Sequence, residues 1–312
     1  MLEAPRVYAE PSAGSGDRPD LVVVGAASRD VTSDDSRGWR VGGPATYCSL
    51  AAARLGVRVG CLLGVDAAAS RAPELLLLEQ AGVDLRRIPL QSGPVFENIE
   101  RDGHRRQRWL SKSGAMKVAD LPDEWRGSRA WLLVPVAGEL GEDWADVPDE
   151  GSAVGLGWQG MLREFAEDGW VERVDPEPSE ILRAAGLVCA SVDDLAPLWE
   201  LERLRPLAPR AIIVLTAGDR GGVVLRDGDV ARYRAITANR NVDPTGAGDV
   251  FLAGLMAVWL LTGEPVTSRA LRFAAAASSC AIEGAGLTGV PTGAQVATRL
   301  RARDAAGLRD GT

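Results

Sequence analysis

The sequence predicts an α/β fold with a mostly parallel central sheet, and three observations support this class. Short apolar runs such as residues 21–25 recur along the chain, and they are typical of buried strands. Segments with helical punctuation separate these runs, and this alternation favours parallel strands that are covered on both faces. The 312 residues, of which 46% are hydrophobic, are enough to build one large core.

The N-terminal part of the chain shows this alternation first. Residues 1–19 are rich in Pro, Gly and Ser, so we expect a flexible N-terminus without a signal peptide. After the strand at 21–25, Gly42-Gly43-Pro44 precedes a helix of small residues that ends at Gly56, since proline favours helix starts and glycine favours helix ends. A strand at 57–63, a helix at 73–80 and a strand near Ile88 follow.

Residues 94–110 interrupt the alternation with two strands that lack the continuous apolar character of a central strand. Asp102-Gly103 lies between them, and this dipeptide is typical of a hairpin turn. We therefore predict a small antiparallel flap, formed by about residues 92–112 together with residues 28–41.

The strand and helix pattern returns at residue 130 and continues toward the C-terminus. We predict one domain over residues 20–305, followed by a tail at 306–312. The predicted strands are 130–136, 153–157, 187–190 and 211–215, with a second hairpin at 222–234, and the predicted helices lie near 178–185, 192–203, 246–261 and 266–282.

Charge and residue counts exclude several classes of function. The formal net charge of −8 argues against non-specific binding to nucleic acid or to an anionic membrane. The chain has one histidine, His104, and only the lysines Lys112 and Lys117, so it contains neither an HExxH zinc motif nor a GxxxxGK phosphate loop. Its four dispersed cysteines predict buried free thiols. No apolar run approaches the ~20 residues that span a bilayer, and we expect a cytoplasmic protein.

The strongest chemical pattern is the segment 243–249, DPTGAGD, which leads directly into an apolar helix. The first amides of a helix lack intrahelical partners, and small residues leave them open to an anion. Asp249 has two interpretations. It is either an acidic residue of the kind favoured in a first helical turn, or a base that takes a proton from a hydroxyl beside the anion site. We favour the second interpretation.

Three motifs carry a resemblance to a known family. The segment 243–249 resembles the C-terminal signature of the ribokinase-like (PfkB) carbohydrate kinases. The segment 42–47, GGPATY, running into 53–56, ARLG, resembles their N-terminal signature, and 215–222, LTAGDRGG, resembles their nucleotide-binding turn. The motifs occur in the order of that family over residues 21–290. The resemblance implies a ribokinase-like three-layer sandwich in which the flap is a β-lid.

The same resemblance implies a kinase that transfers the γ-phosphate of ATP to a hydroxyl of a sugar or cyclitol, with Mg²⁺. Asp249 would be the general base, and the amides of Gly246, Ala247 and Gly248 would stabilise charge on the phosphoryl group. Phosphoryl transfer depends on positioning and electrostatics, so it does not require a phosphate-loop lysine. The implied ATP-binding residues are Thr216, Gly218, Gly221, Thr245, Ala277 and Gly284. Helix packing is the alternative for the alanines at 274–277, and their sequence alone favours it.

On the acceptor side, the resemblance implies that Asp30, Gly42 and Gly43 bind the substrate. Tyr47 stands where the family commonly has asparagine; inositol kinases of the family also carry an aromatic residue there, which makes a cyclitol a candidate. Asn98 on the lid either contacts the substrate or is a solvated strand residue. The lid often mediates dimerisation in the family, so a small-molecule substrate and a second copy of the chain are the implied partners.

Two ion sites are also implied. The family's Asn-x-x-Glu metal motif corresponds here to Ser191-Val192-Asp193-Asp194. Asp194 either holds Mg²⁺ through water or completes a helix capping box with Ser191. By resemblance alone, Asp243 and neighbouring carbonyls would hold K⁺.

Three other functions stay open at the sequence level. A nucleoside kinase of the same fold would need only a different acceptor pocket, and a catalytically idle relative would bind sugar or nucleotide as a regulator. Residues 155–160, GLGWQG, match the GxGxxG dinucleotide motif. We interpret that match as a turn after a strand, because Trp158 is bulky where a pyrophosphate needs bare backbone.

Overall fold

The computed structural model of the chain describes residues 18–101, 104–195 and 201–307. Within them, the strands are β1 (Leu21–Ala26), β2 (Ser28–Val31), β3 (Trp39–Gly42), β4 (Val59–Val65), β5 (Asp84–Pro89), β6 (Val95–Arg101), β7 (His104–Ser111), β8 (Ala130–Leu133), β9 (Ala153–Gly157), β10 (Arg163–Phe165), β11 (Val171–Arg173), β12 (Leu187–Ser191), β13 (Ile212–Thr216), β14 (Gly222–Arg226) and β15 (Asp229–Tyr233). The α-helices are α1 (Pro44–Arg54), α2 (Leu75–Gln80), α3 (Glu180–Ala184), α4 (Ala247–Thr262), α5 (Ser268–Ala281) and α6 (Gly293–Gly307).

A nine-stranded sheet forms the centre, in the order β15-β14-β13-β12-β9-β8-β1-β4-β5. The strands from β13 to β5 run parallel, whereas β14 and β15 add an antiparallel edge. Alternate residues of β1 enter opposite cores: Leu21 and Val23 lie in one, and Val22 and Val24 in the other. The predicted α/β class with a mostly parallel sheet is confirmed.

The two faces of this sheet are covered in different ways. Helices α1, α4 and α5 pack against the face that contains Leu21 and Val23. Gly254 of α4 lies so close to α5 that an added Cβ atom would be 3.1 Å from the Cα atom of Ala274. The opposite face is covered mainly by short 3₁₀ turns and α3, around four fully buried tryptophans, Trp125, Trp131, Trp144 and Trp158. The result is a three-layer sandwich.

A separate small sheet has the strand order β3-β2-β6-β7. Its residues are those predicted to form the flap, although the turn at Asp102-Gly103 lies outside the described residues. The predicted antiparallel pairing of the two strands at 94–110 is confirmed, because β6 and β7 pair antiparallel. The whole flap is not antiparallel, however, because β2 and β6 pair in parallel. The chain passes through α1, β4, α2 and β5 between these two strands, and such a long crossover permits parallel pairing.

One predicted helix differs from the structure, and two observed elements were not predicted. No long helix spans the described parts of 192–203, where Val192–Asp194 and Leu201–Arg203 are single 3₁₀ turns; residues 196–200 lie outside the description. Helix α6 and the β10–β11 hairpin were not predicted, since α6 has little apolar periodicity and each short strand has only three residues. None of the described helices combines the length and hydrophobicity needed to cross a bilayer.

Candidate active site

The predicted catalytic segment lies where several parallel strands end. Strand β1 leads to Asp30, β12 ends at Ser191 and β13 ends at Thr216, while α4 begins at Ala247. In open α/β sheets, ligands bind in the crevice outside the carboxyl ends of the strands. The topology therefore brings the acceptor, metal and nucleotide motifs to one edge of the sheet.

The start of α4 leaves an open patch of backbone. Gly246 is the N-cap residue and has a left-handed conformation, with φ 78° and ψ 0°. The Ala247 amide donates to the carbonyl of Pro244 at 3.2 Å, so it is already engaged. Beside Gly248 there is space, because an added Cβ atom would meet no heavy atom within 4 Å. The amides of Gly248 and Asp249 belong to the first turn, where a helix offers no internal acceptor, and they form the candidate anion site.

Neighbouring helices fix this turn in place. The Cys48 thiol of α1 donates to the Asp249 carbonyl at 3.4 Å, and the Ser278 hydroxyl of α5 donates to the Ala247 carbonyl at 3.0 Å. The Tyr47 ring packs against Gly246, where an added Cβ atom would be only 2.2 Å from Cδ1 of the ring. The anion site is therefore held from both sides by packed helices, as a preorganised site requires.

The carboxyl group of Asp249 has unusual electrostatics. Burial raises its pKa to about 7, and the negative charges of Asp194 and Asp30 act in the same direction, whereas Arg163 opposes them. A general base is most effective when its pKa lies near the working pH. The environment of Asp249 therefore suits the role that the sequence predicted.

Asp194 forms the capping box with Ser191, which is one of the two roles that the sequence left open for it. Its Oδ2 atom accepts a hydrogen bond from the Ser191 amide at 2.9 Å. Its Oδ1 atom accepts from Nε2 of Gln159 at 3.1 Å and lies 3.5 Å from Nη2 of Arg163. The carboxylate is also close enough to raise the pKa of Asp249, so capping does not remove its charge from the site.

Arg163 and Gln159 are candidate site residues that the sequence analysis missed. Arg163 is mostly buried, and its Nη1 donates to Oε1 of Gln107 at 3.0 Å; Nε2 of Gln107 in turn donates to Oδ1 of Asn98 at 3.1 Å. Gln107 and Arg163 thus link the predicted lid residue Asn98 to Asp194 through a series of polar contacts. The available signal was the position of both residues just after β9, at the carboxyl edge of the sheet.

The acceptor-side residues Asp30, Gly42 and Gly43 pack together at the base of the small sheet. Asp30 is buried, and its Oδ1 atom accepts from the Ser28 hydroxyl at 2.9 Å. A Cβ atom at Gly42 would lie 2.3 Å from Oδ2 of Asp30, and one at Gly43 would lie 2.7 Å from the Ala26 carbonyl oxygen. Packing around Asp30 and β1 thus accounts for both glycines, and direct contact with a substrate stays a prediction.

Tyr47 presents a buried polar group in the same region. Its side chain is 2% exposed, and its hydroxyl has no hydrogen-bond partner among the described residues. Burial and the nearby charges of Asp30, Asp243 and Asp249 raise the pKa of Tyr47, while Arg40 opposes that shift. Buried hydroxyl groups normally have a partner, so the Tyr47 hydroxyl is an unsatisfied polar group, and its contact with a substrate stays a prediction.

Asp243 lies at the centre of a second polar cluster. Its Oδ1 accepts from the Thr245 amide at 3.0 Å, and its Oδ2 accepts from the Gly286 amide at 3.0 Å and pairs with Nη2 of Arg40 at 2.6 Å. Burial opposes ionisation, but these hydrogen bonds and the charge of Arg40 hold the pKa of Asp243 below its ordinary value. The carboxylate is already satisfied by partners within the chain.

The nucleotide-side residues fall into two groups. Gly218 has φ 58° and open space around its Cα, and Thr216 ends β13 with its hydroxyl donating to the Ala190 carbonyl at 3.4 Å. Both belong to a bare turn at the sheet edge. At Gly221, by contrast, an added Cβ atom would be 2.1 Å from the Tyr233 carbonyl oxygen, so close backbone packing accounts for this glycine.

Two further predicted nucleotide residues have structural explanations. Ala277 is fully buried in α5, so the helix-packing alternative accounts for this alanine. A Cβ atom at Gly284 would be 2.6 Å from the Cα atom of Gly289. Gly284 also lines a cleft of about 770 Å³ with residues that include Arg240 and Arg299.

The dinucleotide-like segment 155–160 forms no open turn. A Cβ atom at Gly155 would be 2.7 Å from the Met256 sulfur, and Trp158 is fully buried. Packing fills the space that a pyrophosphate would need, in agreement with our interpretation of this segment as a turn after a strand.

Comparisons with known proteins place these features in context. The family model described as pfkB family carbohydrate kinase matches residues 168–292. An inositol 3-kinase from Arabidopsis thaliana is 34% identical over 197 residues, which cover 59% of this chain and 53% of that protein. An inositol 3-kinase from Oryza sativa subsp. japonica is 30% identical over 325 residues, which cover 88% of this chain and 77% of that protein. A nucleoside kinase from Methanothermobacter thermautotrophicus is 27% identical, covering 84% and 85%.

The chain spans about half the length of the Arabidopsis relative. Solved structures with low sequence identity support the fold. A pyrophosphate-dependent kinase in the ribokinase family, complexed with a pyrophosphate analog and myo-inositol, has a TM-score of 0.69 at 20% identity, covering 85% of this chain and 96% of that one. The Arabidopsis thaliana ribokinase complexed with ribose and ATP has a TM-score of 0.66 at 19% identity, and the match covers 91% of this chain and 99% of that one. The predicted ribokinase-like fold is confirmed, and the chain belongs to the pfkB family of carbohydrate kinases.

Proposed function

We propose that the chain is a kinase that transfers a phosphoryl group from ATP to a hydroxyl of a cyclitol or sugar. The observation that carries this proposal is Asp249, whose pKa is raised to about 7 beside the open amides at the start of α4. Relatives described as inositol 3-kinases and the orphaned hydroxyl of Tyr47 favour a cyclitol as the acceptor.

In the proposed reaction, the acceptor hydroxyl binds next to Asp249. The carboxylate removes the hydroxyl proton while the acceptor oxygen attacks the terminal phosphorus and the bond to the leaving phosphate breaks. The amides of Gly248 and Asp249 stabilise the charge on the transferring group, helped by the positive end of the helix dipole. The proton then leaves Asp249 for solvent, which restores the base.

The donor site in this proposal lies along the turn after β13 and the start of α4. Thr216, Gly218 and Thr245 border the phosphates, because they lie on the open side of the sheet edge. Asp194 fits a role in holding Mg²⁺ through water, since carboxylates Asp194, Asp249 and Asp30 give this edge more negative charge than Arg163 offsets. When bound, Mg²⁺ would neutralise charge on the donor phosphates.

A nucleoside is the second candidate acceptor, and the archaeal nucleoside kinase that aligns with 84% of this chain favours it. The two candidates make different demands on the acceptor pocket, because a nucleoside brings a flat base in addition to its ribose. Association of two copies through the small sheet stays a prediction from the resemblance, and light scattering tests it.

An acceptor panel tests the proposal. Release of ADP is measured with inositols, sugars and nucleosides, using the wild type and Asp249→Asn. We expect turnover with at least one cyclitol or sugar. We expect Asp249→Asn to lower it by about 10² or more with little change in ATP affinity. Turnover with nucleosides alone would identify the second candidate, whereas a wild type as inactive as the variant on every acceptor would indicate a binding protein.

A further inference from the structure

The implied K⁺ site does not fit the residues present. A monovalent cation at Asp243 would need free oxygen ligands, but Oδ1 of this carboxylate accepts the Thr245 amide and Oδ2 accepts the Gly286 amide. The guanidinium of Arg40 also lies 2.6 Å from Oδ2. A second cation at that oxygen would be placed directly against the positive charge of Arg40.

Arg40 comes from a different part of the molecule. It lies on β3 of the small sheet, in register with Asp30 on β2. Its partner Asp243 begins the turn that ends at Asp249, and the same carboxylate holds the Gly286 amide. One ion pair therefore joins the small sheet, the anion turn and the loop after α5.

The packing around this ion pair is close. A Cβ atom added at Gly286 would lie 3.7 Å from Cδ of Arg40 and 3.8 Å from the Tyr47 hydroxyl oxygen. The Arg40 side chain is 25% exposed and that of Asp243 is 12% exposed. An ion pair shielded in this way is screened by salt less than an exposed one. A planar guanidinium also offers several fixed donors to a carboxylate, which a spherical cation does not.

We propose that Arg40 is a positioning residue whose guanidinium takes the place of a monovalent cation at Asp243. It fixes the turn that carries Asp249 and couples that turn to the small sheet, so the kinase does not depend on K⁺. The expected K⁺-independent turnover rests on the proposed kinase function. The structural role of Arg40, which is to fix the turn that carries Asp249, does not.

The first test compares the wild type in KCl, NaCl and tetramethylammonium chloride at equal ionic strength. Thermal unfolding, which needs no turnover, should give the same midpoint in the three salts, and the turnover rate should also be the same. A midpoint that rises only in KCl would overturn the proposal. Absence of turnover in every salt would contradict the kinase function, and the unfolding midpoints would still decide the role of Arg40.

The second test uses Arg40→Met, with Arg29→Met as the matched control. Arg29 lies on the neighbouring strand, is 24% exposed and pairs with Asp66, which is 10% exposed, but it makes no contact with Asp243 in the structure. We expect Arg40→Met to lower turnover by about tenfold or more, since a small misplacement of reacting groups can cost up to about 10² in rate.

Rescue separates positioning from general loss of stability. Guanidinium at low concentration should restore part of the turnover of Arg40→Ala, because the truncated side chain leaves room for the ion beside Asp243. Arg29→Met should lose stability without any response to guanidinium. An Arg40→Met protein that is folded and turns over like the wild type, or an Arg40→Ala protein that guanidinium does not rescue, would contradict the proposed role.

Discussion

The carboxyl group of Asp249 determines the expected pH dependence at the scale of single residues. Only the deprotonated form can accept a proton, and the pKa of this group is raised to about 7. With chemistry rate-limiting, turnover should fall by about tenfold for each pH unit below that value. The measurement is the turnover rate between about pH 5 and pH 9, over which buffers of equal ionic strength keep screening constant.

Two neighbouring charges provide matched variants for this profile. Arg163 lowers the pKa of Asp249 and Asp194 raises it. Arg163→Met should therefore move the acid limb to higher pH, and Asp194→Asn should move it to lower pH. An acid limb that moves in the same direction in both variants would contradict the assignment of Asp249 as the base.

How far the sequence predicts the site depends on the residue. The pattern 243–249 predicts Asp249 and the exposed amides of a helix start, because the conformation of a helix start is local. Of the three amides that were predicted, that of Ala247 is engaged with the Pro244 carbonyl, and the catalytic role of Asp249 stays a prediction. Arg163, Gln159 and Arg40 could not be found in this way, since each acts through partners that lie far away along the chain. Arg40 and Asp243, for example, are brought together only by the pairing of the small sheet with the rest of the molecule.

In the proposed mechanism the start of α4 binds the transferring group, and two glycines at this start should respond differently to alanine. Gly246 has a positive φ and packs against the Tyr47 ring, so Gly246→Ala should destabilise the protein by about 1–3 kcal/mol. Gly248 is helical and faces open space. Gly248→Ala should stabilise the helix by about 0.5–1 kcal/mol and still reduce turnover, because the new methyl group covers the anion site.

Denaturant unfolding and turnover measured together check this pair. The free energy of unfolding and the turnover rate should both fall in Gly246→Ala. In Gly248→Ala the free energy of unfolding should rise while the turnover rate falls. If Gly248→Ala kept full turnover, the amides at this helix start would not bind the transferring group.

Elements were predictable where their periodicity is strong. The apolar helices α4 and α5 and the buried strands of the central sheet were predicted close to their observed bounds. Helix α6 and the β10–β11 hairpin escaped prediction because their local pattern is weak and packing against neighbours stabilises them. The parallel pairing of β2 with β6 was not predicted either, because tertiary contacts and not the local sequence decide which strands pair.

At the scale of the whole molecule, polar contacts between described residues join the small sheet to the candidate site. Arg40 of β3 pairs with Asp243, and Gln107 of β7 accepts a hydrogen bond from Arg163. If the small sheet acts as a lid, acceptor binding should slow amide hydrogen exchange in β2, β3 and β6, while the buried strand β8 should show little change. Equal exchange in these lid strands with and without a turned-over acceptor would contradict the lid.

The central claim is that Asp249 removes the proton during phosphoryl transfer. A rapid-quench, single-turnover experiment with γ-labelled ATP and the best acceptor of the panel measures that step directly. The expected result is a transfer rate about 10² or more lower in Asp249→Asn, with ATP affinity little changed. A transfer rate in Asp249→Asn within about threefold of the wild type, well below the contribution of a positioned base, would contradict the claim.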